Sequence, residues 1–253
     1  KDMVEYVGGI DSKNVLDIGC GKSFWLTLLL HNSEANVTGI DTEIVEPGFS
    51  FEKYIGLLKK NGIERALRTL FWEQFFARSY YKKLESLFGH KLSFDGLDLQ
   101  TANSSKINLP DSSIDIVVSH EVFEHIENIP LTLDEIKRVM KPDGITYIYV
   151  HNYTSLSGGH HIAWKYPDKE PSRKVPPWDH LRDNYYPDIP SWLNRIREYE
   201  YREEFEKRFE ILDWISTGRE GEKVLSDVIC KELHEYTENE LLTKGFTVVA
   251  RPK

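Results

Sequence analysis

Apolar positions along the chain fall into short β-type runs separated by stretches with helical spacing. Residues 3–10 read as the end of a helix, and Asn14-Val-Leu-Asp-Ile-Gly-Cys-Gly21 passes from a short apolar strand into a glycine turn. The strongly apolar segment Ser23 to Leu30 suits a buried helix starting at that turn. Asn36 to Asp41 is a second β-type run ending in an acid, the natural parallel partner of the first strand in a βαβ unit. From Glu43 to Gly89 the spacing turns helical, broken near Asn61-Gly62, with aromatics at Phe71, Trp72, Phe75, Phe76, Tyr80 and Tyr81. So wide an apolar girth implies contact on more than one side. Residues of about 43–92 are read as a helical insertion that covers a site or supplies a homodimer surface, with ordinary packing onto a sheet as the bland alternative.

Regular alternation resumes with a weak strand at Leu92 to Leu99 and a strand at Ile114 to Ser119. A helix at Ile129 to Met140, the turn Lys141-Pro-Asp-Gly144 and a strand at Ile145 to Val150 follow. Residues 151–190, rich in His, Pro, Trp, Gly and Tyr, are too long and aromatic for an inert connection, and about 151–208 is read as an acceptor loop or cap. A charged amphipathic helix at Ser191 to Lys207, a strand at Phe209 to Ser216, a helical stretch over 222–244 and a strand at Phe246 to Ala250 close the chain. The charged helix has no role beyond a solvated face with i,i+4 pairs.

Composition narrows the class. At 253 residues, 40% hydrophobic and 29% charged, the chain reads as one α/β domain over 1–253 carrying an insertion, and long disorder is excluded. No run approaches the roughly 18 apolar residues that cross a bilayer, and Lys-Asp-Met-Val-Glu has no signal-peptide pattern, so a cytoplasmic location with no membrane partner is expected. A first residue other than Met leaves an upstream segment open. A net charge of −9 repels phosphate backbones and speaks against nucleic acid as a partner. Cys20 and Cys230 lack the spacing of a disulfide framework or a cysteine zinc site.

The chemistry begins at the glycine turn. Gly19 and Gly21 let backbone approach a ligand closely, and Asp41, ending the next strand, offers a carboxylate to a ribose. Val15-Leu-Asp-Ile-Gly-Cys-Gly21 resembles the first motif of class I S-adenosylmethionine-dependent methyltransferases. Leu109-Pro-Asp-Ser-Ser-Ile-Asp-Ile-Val-Val-Ser-His-Glu-Val-Phe-Glu-His-Ile126 is similar to that family's fourth-strand segment, and Glu135-Ile-Lys-Arg-Val-Met-Lys-Pro-Asp-Gly144 to its helix and turn before the fifth strand. The resemblance covers residues of roughly 10–152 plus a closing strand pair. It implies a seven-stranded Rossmann-like methyltransferase sheet, mostly parallel with an antiparallel last strand, and S-adenosylmethionine as methyl donor. Carried over by position, Asp17, Gly19, Cys20 and Gly21 would line the methionine and ribose part of the donor, Asp41 would hold the ribose hydroxyls, and Ser119 would border the same site. Two positions depart from the pattern: Ser23 stands where a third glycine is frequent, and Ser104-Ser105-Lys106 lacks the acid that sits near adenine.

Six of the nine histidines crowd into residues 120–180, which marks that region for proton transfer. His120 and His151 should leave the carboxyl ends of two strands, where open α/β sheets bind ligands, and His160 and His161 follow on the long loop. These four are the candidate bases. Gly158-Gly-His-His161, Trp164 and Pro176-Pro-Trp-Asp-His-Leu181 place imidazoles beside aromatic faces, a composition suited to stacking on sugars, though the same aromatics could be tucked into the core. Glu121, Glu124 and His125 could converge on a divalent cation from one helical turn, as a similar pattern does in some methyltransferases; many metal-free relatives also carry it, and a metal is not favoured.

The expected activity is methyl transfer to an acceptor oxygen, a hydroxyl of a saccharide or other small polar molecule. The alternatives are N-methylation of a small molecule and a non-catalytic donor-binding module of a larger protein. A nicotinamide dehydrogenase is disfavoured because the third glycine of its fingerprint would fall on Phe24.

Overall fold

The structure, a computed structural model, describes residues 3–44, 71, 73–187 and 191–253. Most of the 43–92 insertion, Trp72 included, lies outside the described residues. Seven strands form the mostly parallel sheet expected, with its last strands antiparallel. The chain packs as two compact units, Gly8–Asn103 and Lys1–Val7 with Ser104–Lys253.

In the first unit, β1 (Asn14–Ile18) and β2 (Asn36–Asp41) pair in parallel with Asp17 opposite Gly39, and β2 pairs with β3 (Asp98–Thr101). Val15, Leu16, Ile18, Val37 and Ile40 are buried, as a sheet covered on both faces requires. Helix α2 (Trp25–His31) packs so closely that a Cβ on Gly39 would stand 2.9 Å from the Thr27 side chain. Only glycine permits that approach. The strand expected at Leu92 to Leu99 forms later in the chain. Leu92 joins Phe24 and Leu28 in an apolar cluster, where Tyr81, Phe88 and Phe94 also pack, so these side chains serve the core rather than a ladder. Of the predicted helix over 43–89, the described part is a wide turn at Glu73–Ala77 and α3 (Arg78–Phe88), ended by Gly89 at φ 94°.

In the second unit, which also holds the short helix α1 (Met3–Val7), β4 (Ile114–His120) pairs in parallel with β5 (Met140–His151). Strand β7 (Thr243–Pro252) runs antiparallel to β5 and to β6 (Phe209–Arg219). Helix α4 (Ile129–Val139) begins where Asn128 accepts the Leu131 N–H. Arg138 near its end ties down the approach to β4: its guanidinium donates to the carbonyls of Ile107 and Leu109 and pairs with Asp111 and Glu135. The turn expected at Lys141 to Gly144 is instead part of β5, with a register shift opposite Ile114 and Ile116.

The helix expected from Ser191 starts seven residues late, as α5 (Glu198–Arg208), because Arg195 is left-handed at φ 61° and Arg197 forms the capping box with Glu200. The helical stretch over 222–244 divides into α6 (Asp227–Glu232) and α7 (Glu238–Leu242), started by the side-chain caps of Ser226 and Thr237. Residues 151–187 are less of a surface loop than their composition suggests. Trp164 and Trp178 are buried with Leu156, Val175, Leu241 and Leu242, each such side chain contributing about 1.5–3 kcal/mol. Both indole N–H groups are satisfied, Trp178 by the Leu241 carbonyl and Trp164 by those of Val175 and Pro176. Among the described residues no helix is long and apolar enough to cross a membrane.

Candidate active site

In the unit of residues 8–103, β1 ends in a turn whose Gly19 (φ 76°) and Gly21 (φ 65°) are left-handed, the conformation that favours glycine. The N–H groups of Gly19 and Cys20 both donate to the Ile40 carbonyl at 2.8 and 3.1 Å, so the turn leans on β2. Gly21 N–H donates to Asp41 Oδ2 at 3.0 Å, while Asp41 Oδ1 accepts the Glu43 N–H at 3.0 Å. A Cβ on Gly21 would meet only the Gly19 carbonyl at 4.0 Å, so backbone there faces open space that a ligand can enter. Below the turn Asp17 is buried and accepts Thr27 Oγ1–H at 2.5 Å. Burial raises its pKa to about 6 against the pull of Thr27. Burial also drives the Cys20 thiol up, aided by the negative charges of Asp17 and Asp41, so the thiol stays protonated.

In the other unit, β4 ends with buried Ser119 and then exposed His120, whose ring lies 4.8 Å from that of Tyr149. Glu121 is left-handed at φ 57° and Val122 lies outside the helical region at φ −131°, so the helical turn is confined to Phe123–His125. The i, i+3, i+4 face that would bring Glu121 beside Glu124 and His125 therefore does not form. His160 takes that place: ligand-type atoms of Glu124, His125 and His160 lie within 4.8 Å of one another.

Around Glu124 the polar groups are held with care. Asn194 donates to the carbonyls of Phe123 and Ile126, and its own N–H donates to the Glu124 carbonyl. His125 Nδ1–H donates to the Trp192 carbonyl at 2.8 Å, leaving Nε2 as its lone-pair nitrogen. Glu124 itself is buried, and neither carboxyl oxygen receives a hydrogen bond of normal geometry; burial raises its pKa to about 8.

His160, left-handed at φ 53°, sets Nε2 3.1 Å from His151 Nδ1, 4.0 Å from Glu124 Oε1, and Nδ1 3.5 Å from Ser191 Oγ. His151 Nε2 meets Ser157 Oγ at 2.9 Å, and the Ser157 N–H donates to buried Glu220 at 2.6 Å. The Gly158-Gly159 pair makes this close packing achievable: a Cβ on Gly158 would strike the Asn152 carbonyl at 2.2 Å, and one on Gly159 the His180 ring at 2.2 Å. Burial drives both imidazoles down, His160 to about 4 and His151 to about 3, with neighbouring histidines adding to the effect. Both rings are neutral at pH 7.

The remaining candidates part ways. His161 is buried, and its Nδ1 accepts the Ala163 N–H, which caps the short turn at Ile162–Trp164. His180 donates to the Tyr153 carbonyl and accepts, through its own carbonyl, the Tyr153 hydroxyl. So the geometry brings His151 and His160 together, with His120 and His161 elsewhere. Ser157, Ser191 and Glu220 are the partners that sequence reasoning missed. Ser157 stands beside the conspicuous glycine pair, while nothing in the sequence around Glu220 signals its role.

A family model described as a methyltransferase domain matches residues 2–210. Among curated proteins, the mitochondrial ubiquinone biosynthesis O-methyltransferase of Dictyostelium discoideum is 26% identical over 149 residues, covering 58% of this chain and 38% of that protein. Sterol 24-C-methyltransferase of Aspergillus fumigatus is 27% identical over 147 residues, covering 58% of this chain and 30% of that protein. The chain thus spans well under half the length of these relatives. An S-adenosylmethionine dependent methyltransferase from Mesorhizobium loti is similar in fold, with a TM-score of 0.53 at 16% identity over 96% of this chain and 92% of that one.

Proposed function

The chain belongs to the methyltransferase-domain family, of the S-adenosylmethionine-dependent kind, and from that premise we propose that it methylates a hydroxyl oxygen of a saccharide or other small polar acceptor. The donor supplies a methyl group on a sulfonium, already electrophilic, so the protein's task is to bind it, to hold the acceptor in line and to receive the acceptor's proton. Open space beside the Gly21 backbone and the Asp41 carboxylate fit a ribose that carries hydroxyl donors. Asp17, fixed by Thr27, sets the shape of the turn from below.

The observation that carries oxygen as the acceptor atom is the His160–His151 hydrogen bond between two neutral imidazoles. A hydroxyl must lose its proton as it is methylated, whereas a neutral amine attacks without a base. The relatives divide between oxygen and carbon acceptors by name, and the histidine pair supports oxygen. With His160 Nε2–H donated to His151 Nδ1, and His151 Nε2–H donated to Ser157 Oγ, the remaining lone pair of the two rings is at His160 Nδ1, which the Ser191 hydroxyl approaches at 3.5 Å. That atom takes the acceptor proton, and the charge is shared along the line.

The reading is tested by single-turnover methyl transfer to a panel of sugar hydroxyls and primary amines, comparing the parent protein with His160→Ala. Hydroxyl transfer lost and amine transfer kept supports it. Equal rates on hydroxyls in both proteins would overturn it.

A further inference from the structure

Beside the histidine pair lies a cavity of about 650 Å³, lined by Tyr153, His180, Tyr185, Ser191, Trp192 and Arg195 among others. One of its walls touches the base: Ser191 Oγ is 3.5 Å from His160 Nδ1, and the neighbouring Trp192 carbonyl holds His125. Tyr185 and Trp192 expose 37% and 57% of their surface, which leaves aromatic faces free to receive a ring. A cavity of this size holds one or two pyranose rings.

Arg195 is the charged residue of this lining. Its guanidinium lies over the Tyr185 ring at 5.5 Å and donates from one nitrogen to the Tyr185 hydroxyl at 3.0 Å. Among the described residues no carboxylate pairs with it. Arg138, Arg182, Arg197 and Arg208 are by contrast each tied to an acid, as expected in a chain with a net charge of −9. Arg195 is also held at φ 61°, a left-handed conformation that is strained for a non-glycine residue. The segment tolerates it because Asn194 is pinned to the carbonyls of Phe123 and Ile126 and receives the Ile196 N–H. Strain, a fork of N–H donors with no carboxylate partner among the described residues, and an aromatic shelf coincide in the lining of a cavity whose Ser191 wall borders the base. Arginine in that setting matches a planar or tetrahedral oxyanion.

Resting on the acceptor reading above, we propose that the acceptor is an anionic sugar whose carboxylate or phosphate is bound by Arg195 while its ring lies against Tyr185 and Trp192. Arg195 sets specificity and takes no part in proton transfer.

The test is ligand-observed saturation-transfer NMR on the full chain without methyl donor, using D-glucuronate, D-glucose 6-phosphate and D-glucose as probes, with Arg195→Gln, Arg195→Lys and Trp192→Ala variants checked for fold by circular dichroism. At least one anionic probe should bind and weaken about tenfold or more in Arg195→Gln, with partial recovery in Arg195→Lys. D-glucose should bind more weakly and equally to both proteins. The two anionic arms tell a carboxylate site from a phosphate site. The proposal is overturned if D-glucose binds as well as both anions, if none of the probes binds, or if Arg195→Gln changes nothing while Trp192→Ala abolishes binding. Because binding is read without methyl transfer, failure here leaves the base reading standing, and loss of the base reading leaves this measurement valid.

Discussion

His160 and His151 share a hydrogen bond of 3.1 Å, Nε2 to Nδ1, inside a setting that keeps both rings uncharged. Burial holds both rings neutral, and two imidazoles facing each other repel when both are protonated, so the pair takes up a first proton only in acid and a second with more difficulty still. Removing the proton-accepting ring should lower kcat by about 10²–10⁴ in His160→Ala, the range of general-base effects. His151→Ala, which removes only the partner, should lose less. Calorimetry with S-adenosylhomocysteine should show unchanged affinity in both variants, which separates lost chemistry from lost donor binding.

The pair's pH behaviour has a defined sign. Only neutral imidazole accepts a proton, so activity is retained above the folded-state values of about 4 and 3 and falls below them. Stability moves the same way: unfolded histidine takes up a proton near 6.5 while these rings do not, so the unfolded state binds more protons between about 6.5 and 4, and stability falls as pH drops through that window. The acid limb of kcat/KM should therefore lie well below 6, at the edge of acid unfolding. A midpoint above 6 would mean that the base lies outside this buried pair.

Much of this was legible in advance, for physical reasons that differ by segment. The βαβ start, the glycine turn and Asp41 follow from short-range rules, apolar runs bounded by glycine, and they form as expected. Helix α5 was misplaced by seven residues because Asn194 and Arg195 obey a long-range clamp on Phe123 and Ile126 that helical periodicity cannot contain. His151 and His160 could be suspected from their density. Their pairing, and the choice against His161, depends on the close approach at Gly158 and Gly159 and on a carboxylate sixty-three residues downstream of Ser157.

At the glycine turn Asp41 fixes the Gly21 N–H, and on the proposed reading it would also accept the ribose hydroxyls of the donor. Asp41→Ala should weaken S-adenosylmethionine binding by about tenfold or more, since a carboxylate accepting hydrogen bonds contributes about 1.5–3 kcal/mol. Asp41→Asn keeps one acceptor oxygen and should lose less. Titration calorimetry on both variants checks the order.

A divalent cation at Glu124, His125 and His160 would need a lone pair from His160 Nε2, which is already engaged with His151. Methyl transfer should accordingly change by less than about twofold after exhaustive chelation, or on adding magnesium or manganese to the chelated protein, a span within the few tenths of a kcal/mol that separate equivalent states. Activity that vanished on chelation and returned with one metal would replace the base reading with a metal-assisted one.

Glu124 supplies the sharpest measurement of the site's electrostatics. Its carboxyl is buried with no hydrogen-bond partner of normal geometry, and burial lifts its pKa to about 8 from the usual 4.5. Between those values the native state holds a proton that the unfolded state has released, so stability must fall as pH rises through the window. Glu124→Gln removes that slope and keeps the shape. At pH 5 the two proteins should differ little, because both side chains are then neutral in the folded state. At pH 8 the variant should be the more stable by roughly 2–4 kcal/mol. Urea unfolding of both proteins at the two pH values isolates Glu124, since contributions of the histidines cancel in the difference. If the difference stayed constant with pH, the carboxyl would be ionised throughout, and a positive partner for it would have to be sought.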